Sequence, residues 1–554
     1  MTGSTAEVLV VGAGPTGLTL ACTLLQHGVA VRVVERRKAP ATAPKALILW
    51  TGALEVLDRL GVSERIREGS VPLNHASYWS KGRRIGQIGF DVLAGTRFPN
   101  PLSAPQTVTE AALLARLEEL GGKVEWETKL TDLKKIGTEA VEAVLESADG
   151  TTERPTVGWV VAADGIHSEV RRAAGIAYEG DTYDREFILG DGVFDGSLPA
   201  DEAQYHMTPD GVMVAVPLPG GGHRVFFDVA AGVSSDQPSM EQIQALMDAR
   251  GPGGWTYRED WWRSRFRVHA KVAPNFRSGR VFVAGDAAHC HSPAGGQGLN
   301  TGVQDGFNLG WKLACVVRGG DESLLDSYDV ERRPTSVAAI RMADMQTRMW
   351  LVRSPIGRTV RDTGMRVLSQ SGLLAKRVVP TLAQYDLDLS SSPAVRDLRA
   401  GAPSGRAAAG RLRPGFRVPG LELRAVAGRS AESLHAYSAS GRHTLLVVPA
   451  AGGGQDASAV AARLRERVSG TDYQDLVDVL LLVAPGTAAA GGDNPGYDVA
   501  EVAGGALPSG DVAEVAWVRP DGVVGACAAA SDADRLVGLL PFVPSGEGAE
   551  RTAA

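Results

Sequence analysis

The stretch Gly12-Ala13-Gly14-Pro15-Thr16-Gly17 lies between an apolar run at residues 7–11 and an apolar helical segment at 18–27. A G-x-G-x-x-G turn between strand and helix constrains the fold more than any other feature of the chain. It predicts a βαβ unit, because Gly28 stops the helix and residues 29–34 read as a second strand. Gly12 allows the tight turn, Gly14 lets the backbone approach a pyrophosphate, and Gly17 lets the helix lie close on the sheet. Pro15 and Thr16 stand at the helix start, where free N–H groups and the positive dipole end favour phosphate. Glu35 ends the second strand about 20 residues past the turn, the spacing of a carboxylate that bonds an adenosine ribose. Arg36 and Arg37 follow directly and keep a phosphorylated ribose open. A glycine turn alone is common; strand, turn, helix, strand and acid in order indicate dinucleotide binding.

A second constellation follows the apolar strand predicted at 281–284. It reads Gly285-Asp286-Ala287-Ala288-His289, then Ser292-Pro293-Ala294-Gly295-Gly296-Gln297-Gly298-Leu299-Asn300, then a long helix over about 300–317. The strand aims Asp286 out of the sheet end, where a carboxylate meets sugar or ribityl hydroxyls. The glycines let backbone lie against a flat ring. The helix start directs its amides at that ring, and a flavin gaining negative charge on reduction would be stabilised there.

With these two motifs the sequence resembles the group A flavoprotein aromatic hydroxylases, most nearly those acting on bacterial aromatic polyketides and phenols. The resemblance covers roughly residues 6–350 and, more weakly, the C-terminal part. It implies that the glycine turn and Glu35 hold the ADP part of a noncovalent FAD. Asp164-Gly165 looks like the family's Asp-Gly motif, linked to FAD and NAD(P)H, and Gly285-Asp286 like its ribityl-binding Gly-Asp. Pro293–Asn300 resembles its flavin-ring loop, with Gly298, Leu299 and Asn300 offering backbone donors and Pro293, Gly295 and Gly296 shaping the oxygen-transfer pocket. Gln106 matches a flavin-contacting glutamine. Lys45 stands where the family usually has Arg, which keeps the charge and loses the planar fork. The implied reaction is hydroxylation of a polycyclic phenol or quinone through a flavin C4a-hydroperoxide, with NADPH or NADH and O₂ as co-substrates. Baeyer–Villiger insertion is the alternative on the same scaffold; the nearest downstream cation, Lys312, lies about three helical turns along, which favours hydroxylation.

The expected fold class is α/β. A Rossmann-like FAD-binding domain of glutathione-reductase type spans 1–75, 100–180 and 267–392, the last part a helical extension. A mixed or antiparallel substrate domain is inserted at 76–99 and 181–266. Residues 393–414 read as a linker and 415–545 as a thioredoxin-like domain. Its redox position, 449–454, lacks cysteine, so packing or a homodimer contact is its expected role. Residues 486–505 read as a loop. Tyr205, Met213 and Phe226 in the middle sheet are candidate substrate contacts, although alternation alone does not say which face is which. Trp261, Trp262 and Phe266 read equally as pocket or core.

Net charge is −7, with 57 Lys+Arg against 64 Asp+Glu, which disfavours nucleic acid and anionic membrane as partners. No apolar run suits a bilayer and no signal peptide is evident, so a cytoplasmic location is expected. The four cysteines form no C-x-x-C pair, and His289 and His291 lack further ligands, so no metal site is expected.

Overall fold

The computed structural model describes residues 7–136, 138–230, 232, 237–399, 412–450, 457–485, 496–503, 507 and 512–541. Its first sheet is ordered Arg277–Ser278, Val281–Val283, Trp159–Ala162, Val8–Val11, Val31–Val34, Val124–Glu125, with every neighbour parallel except the first pair. Val8–Val11 is buried throughout, as a central parallel strand covered on both faces must be. Helix Pro15–Gln26 packs on it, and the 21-residue helix Gln297–Val317 packs on that helix. Small residues make the approach possible: a Cβ on Gly306 would lie 2.5 Å from the Thr16 carbonyl, and one on Gly310 2.8 Å from Thr23 Cβ.

The middle region forms an eight-stranded sheet, ordered His289–Cys290, Thr256–Val272, Glu179–Asp195, His223–Ala230, Gly211–Pro217, Glu202–Thr208, His75–Ser80, Arg83–Gly89. Pairing is antiparallel except between Glu202–Thr208 and His75–Ser80. Its two faces bury different clusters. Val212, Val214, Tyr205 and Phe226 pack toward Trp50, Ala294 and Trp350. Ala215, Phe227 and Ile188 pack with Ile243 and Met247 of helix Met240–Arg250, on the far side. Met213 belongs to this second set and is fully buried, so it does not face the flavin loop as expected of a substrate contact. The pleat sends adjacent residues to opposite faces, and Tyr205 pairs with Val214, not Met213.

The helical extension runs through Asp326–Trp350, Pro355–Gln370 and Leu373–Leu382. A seven-stranded sheet closes the described chain, ordered Arg396–Asp397, Val524–Ala529, Glu514–Val518, His443–Val448, Val477–Val483, Asp498–Ala503, Glu422–Ala427. Part of the expected linker thus belongs to this sheet, and Asp498–Ala503 is a strand within the stretch read as loop. Residues 400–411 of the linker, 451–454 of the redox position, and 486–495 and 504–505 of the loop lie outside the described residues. The hairpin at Pro520-Asp521-Gly522 joins Glu514–Val518 to Val524–Ala529.

Candidate flavin and substrate site

The first sheet delivers its groups at the carboxyl ends of its strands. Gly12 turns the chain at φ +107°, and a Cβ there would meet the Ala163 carbonyl at 2.2 Å. Gly17 is equally closed, its would-be Cβ 2.0 Å from the Gly12 carbonyl. Gly14 differs: no protein atom lies within 4 Å of a Cβ built on it, which leaves the space a pyrophosphate needs. Helix Pro15–Gln26 has no side-chain cap at its N-terminus, so its first amides stay available to an anion. Thr16 packs its hydroxyl toward Gly285 and Gly302 and locks the turn to the second motif.

Glu35 sits over the turn. Its carboxylate accepts from the Ala13 amide at 2.9 Å and the Arg37 amide at 3.0 Å, with the Arg37 guanidinium 3.2 Å away. Burial alone would raise its pKa; those amides and the Arg37 charge override burial and hold the carboxyl below its ordinary value. Arg36, the expected cation here, is exposed, and Arg37 takes the inward place, also facing Glu110 at 3.6 Å. Both arginines lie in the bend after the strand, and Arg37 is turned inward by its own amide and guanidinium contacts to Glu35.

Asp164 follows Trp159–Ala162. Its Oδ2 caps helix Glu169–Ala173 by accepting from the Glu169 amide at 2.8 Å, while its buried Oδ1 has no partner among the described residues. Burial raises this carboxyl against the pull of the helix amides. Asp286 follows strand Val281–Val283 at the same end of the sheet. It is exposed, and the partial desolvation by its neighbours raises its carboxyl, with His289 and Lys45 pulling the other way. No described side chain hydrogen-bonds its carboxylate, although its carbonyl accepts from Tyr178 at 3.0 Å. A buried acceptor without a donor beside an exposed carboxylate, at the strand ends where α/β sheets bind ligands, fits a ligand rich in hydroxyls. A surface cleft of about 470 Å³, lined by Glu7, Trp159 and Arg280 among others, lies at the opposite ends of these strands, away from the motifs.

The loop between Cys290 and helix Gln297–Val317 turns through Gly295 and Gly296 at φ +74° and +63°. Pro293 accepts the Gly296 amide at 3.0 Å, and no side chain caps the helix, whose first turn holds Gly298 and Leu299. Asn300 is fully buried and its side chain serves structure: it accepts from the Trp50 amide at 2.7 Å and donates to the Ile48 and Gly296 carbonyls. Trp50 Nε1 returns a bond to the Gly295 carbonyl at 2.8 Å. His289 is paired at 2.6 Å with Asp305, which also binds Arg332 at 2.7 Å. Burial would raise Asp305; the Arg332 and His289 charges override it and hold its carboxyl below the ordinary value. Burial pushes His291 down to about 4.

Residues 5–343 match the family model described as FAD binding domain. The chain belongs to this FAD-binding family. It is similar to 6-methylpretetramide 4-monooxygenase of Streptomyces rimosus, 38% identical over 378 residues, 67% of each chain. It is also similar to the 12-dehydrotetracycline 5-monooxygenase/anhydrotetracycline 6-monooxygenase of the same species, 32% identical over 508 residues, 88% of this chain and 92% of the relative. Among solved structures, an anhydrotetracycline hydroxylase from S. rimosus superposes with TM-score 0.72 at 27% identity, covering 97% of this chain and 98% of the other. The chain is therefore an FAD-dependent aromatic monooxygenase.

Two features of this flavoprotein lay beyond sequence reasoning. Arg224, on strand His223–Ala230, reaches the flavin-side segment and donates to the carbonyls of Lys45, at 2.6 Å, and Pro44. Asp191 fixes that guanidinium with two 2.7 Å bonds, both side chains buried. Lys45 itself is exposed toward the cleft near Asp286. Gln106 accepts the Ala46 amide at 3.2 Å and donates to Glu110 at 2.7 Å, holding the same segment from the other side. No local pattern marks Arg224, because its partners lie far away in sequence. The second feature is an aromatic wall: Tyr78 stacks on Tyr205 at 5.0 Å, Tyr205 leans on Trp350 at 5.3 Å, and Phe226 meets Phe187 at 6.1 Å. Phe266 stacks on Phe187, Trp262 lies beneath Arg224, and Trp261 is exposed.

Proposed function

We propose that the enzyme hydroxylates a fused polycyclic phenol or quinone, held between the aromatic face of the middle sheet and the loop Pro293–Asn300, with NADH or NADPH as donor. The carrying observation is that this face, with Tyr205 and Phe226 half-buried, packs in one cluster with Ala294 of the loop and with Trp50, which binds the loop's Gly295. Extended aromatic walls suit flat fused rings. The relatives named for pretetramide and tetracycline substrates agree in class.

In this reading Gly12, Gly14, Pro15, Thr16 and Gly17 cradle the pyrophosphate, and Asp164 and Asp286 accept cofactor hydroxyls. Lys45 and Gln106 border the flavin segment, with Arg37 in place of Arg36 beside Glu35. FAD supplies, when bound, the transfer of one O₂ oxygen to the ring. The chain's own residues orient the reactants and exclude water: Pro293, Gly295 and Gly296 turn the loop tightly against Ile48, Gln346 and Leu382 and so fix its position. The uncapped start of Gln297–Val317 places positive dipole where charge develops. Lys312 is buried in an ion pair with Glu331 at 2.8 Å and cannot reach the site, which supports hydroxylation over Baeyer–Villiger insertion. The first sheet's order and the antiparallel strands between 128 and 157 support a glutathione-reductase type domain. The order Val524–Ala529, Glu514–Val518, His443–Val448, Val477–Val483 supports a thioredoxin-like C-terminal unit.

The test is turnover of a panel including anhydrotetracycline, an anthraquinone phenol and simple phenol under ¹⁸O₂. One labelled oxygen on a ring carbon, skeleton intact, is expected from a polycyclic member. A labelled ester oxygen in an enlarged ring, or turnover confined to simple phenol, would overturn the reading.

A further inference from the structure

The C-terminal unit touches the substrate side of the molecule at one tightly organised junction. Gly420 meets Gly95 so closely that a Cβ on either would lie 2.5 Å from the other's Cα. Gly95 belongs to the loop 91–98, which follows strand Arg83–Gly89 of the middle sheet. Three residues away, Arg417 makes a hub. It forms a two-pronged ion pair with Glu55 of helix Thr51–Arg59, lies 4.0 Å over the Tyr385 ring, and bonds both the Tyr385 hydroxyl and His435.

Two of these partners, Tyr385 and Glu55, in turn grip the loop. Tyr385 donates to the Ala94 carbonyl at 2.5 Å, and Thr96 donates to Glu55 at 2.8 Å. Loop residues 94, 95 and 96 are thus each held by a group that Arg417 fixes or by Gly420 directly. The same loop carries inward the apolar residues Val92 and Leu93, beside Phe90, in one cluster with Tyr205, Phe226 and Ala294. Phe90 meets Trp50 edge-on at 5.3 Å, and Trp50 holds Gly295. A contiguous chain of packed groups runs from Gly420 to the flavin-ring loop.

We propose that Arg417 and Gly420 are positioning residues for the substrate: through the loop 91–98 the C-terminal unit sets the wall against which the aromatic ring is held. This rests on the proposed placement of the substrate at the middle-sheet face. It gives the C-terminal unit a part in the reaction without any group that touches substrate or flavin. The unit's lack of a cysteine pair at its redox position is consistent with a role in shape rather than in thiol chemistry.

The test uses the full-length holoenzyme and three variants, Gly420→Ala, Arg417→Met and Arg417→Lys. Two readouts are needed. The first is NAD(P)H oxidation with anhydrotetracycline, resolved into KM for the phenol, KM for NAD(P)H, and product formed per NAD(P)H. The second is amide hydrogen exchange across 91–98 and, as an internal control, across strand His443–Val448. Gly420→Ala and Arg417→Met are expected to raise the phenol KM or lower product yield by about tenfold, since an ångström of misplacement has effects of that order or larger. The NAD(P)H KM and FAD dissociation constant stay at wild-type values, and exchange quickens in 91–98 but not in 443–448. Arg417→Lys keeps one charge and restores part of the loss. Unchanged phenol KM and coupling in variants that merely melt earlier would overturn the proposal. If wild type itself oxygenates no polycyclic phenol, the placement of the substrate has failed instead. The exchange readout then still decides whether the C-terminal unit holds the loop, and unaltered exchange at 91–98 refutes that.

Discussion

At the scale of single residues, the site is a set of acceptors waiting for donors. Asp164 Oδ1 is buried without a partner among the described residues, and Asp286 stands exposed at the neighbouring strand end with its carboxylate free to accept. Asp286→Ala is therefore expected to weaken FAD by about 1.5–3 kcal/mol, the worth of a hydrogen bond to a charged group. That is roughly a 10- to 150-fold rise in the dissociation constant, read by flavin fluorescence titration. Phe226 and Met213 separate two roles that neighbouring strands confuse. Phe226→Ala should raise the phenol KM with little change in FAD affinity. Met213→Ala, in the far-side core, should lower stability by about 2–5 kcal/mol and leave KM alone. Urea midpoints and steady-state kinetics on both variants check this; the opposite assignment would put the substrate on the far face. Asp305 governs acid stability with a definite sign. Its folded pKa lies below its unfolded value, so its contribution is fully present above about pH 4 and is lost as pH falls through the lower folded value. Asp305→Asn should be less stable than wild type near pH 7, and the gap should narrow as the pH falls below about 4. A gap that widens there would reverse the assignment.

At the scale of elements, helix Gln297–Val317 joins cofactor geometry to core packing. Its start is the proposed flavin-side end, and its middle lies on helix Pro15–Gln26 through Gly302, Gly306 and Gly310. Gly306→Ala puts a methyl against the Thr16 carbonyl and overpacks the contact, at a cost of about 1–3 kcal/mol. Thr16 belongs to the pyrophosphate turn, so FAD retention should fall together with melting temperature. Thermal melts of apo and holo protein separate the effects: equal drops in both would mean the turn had not moved. Arg224 acts similarly between elements, carrying the position of the middle sheet into the segment 44–46 through two carbonyls. The long strands Glu179–Asp195 and Thr256–Val272, paired along most of their length, make that sheet a stiff lever.

At the scale of the whole molecule, the C-terminal sheet is tied to the FAD domain by a buried charge network. Glu331 receives Lys312, Arg519 and Ser392, and Arg519 also binds Asp521 of the hairpin turn. Burial lowers Lys312 to about 8 despite the opposing pull of Glu331, and Glu331 itself is held well below the usual carboxylate range because two cations outweigh its burial. Removing one member of such a network leaves an uncompensated charge in the interior. Glu331→Gln should cost about 3–5 kcal/mol. Because the lost contacts join two units, calorimetry should show the single transition splitting, the C-terminal unit melting first. A uniformly shifted single transition would mean that apolar packing, such as Trp311 against His443 and Trp517, does the coupling alone.

The sequence by itself determined the cofactor and the reaction class. The groups that carry them are contiguous: glycine turn, strand-end acid and flavin loop each act through residues a few positions apart, and turn chemistry is local. Local reading had no access to the face a strand turns to the core. A register shift of one residue exchanges the two faces, so Met213 and Phe226 were equal candidates until pairing with Tyr205 and Val214 was visible. Arg37 over Arg36 was decided by the bend after Val34, whose path only the fold shows. Tertiary structure alone decided the roles of Arg224, Asp191, Arg417 and Glu331. Their partners lie far away along the chain, and a buried charge takes its meaning from whatever the fold places opposite it.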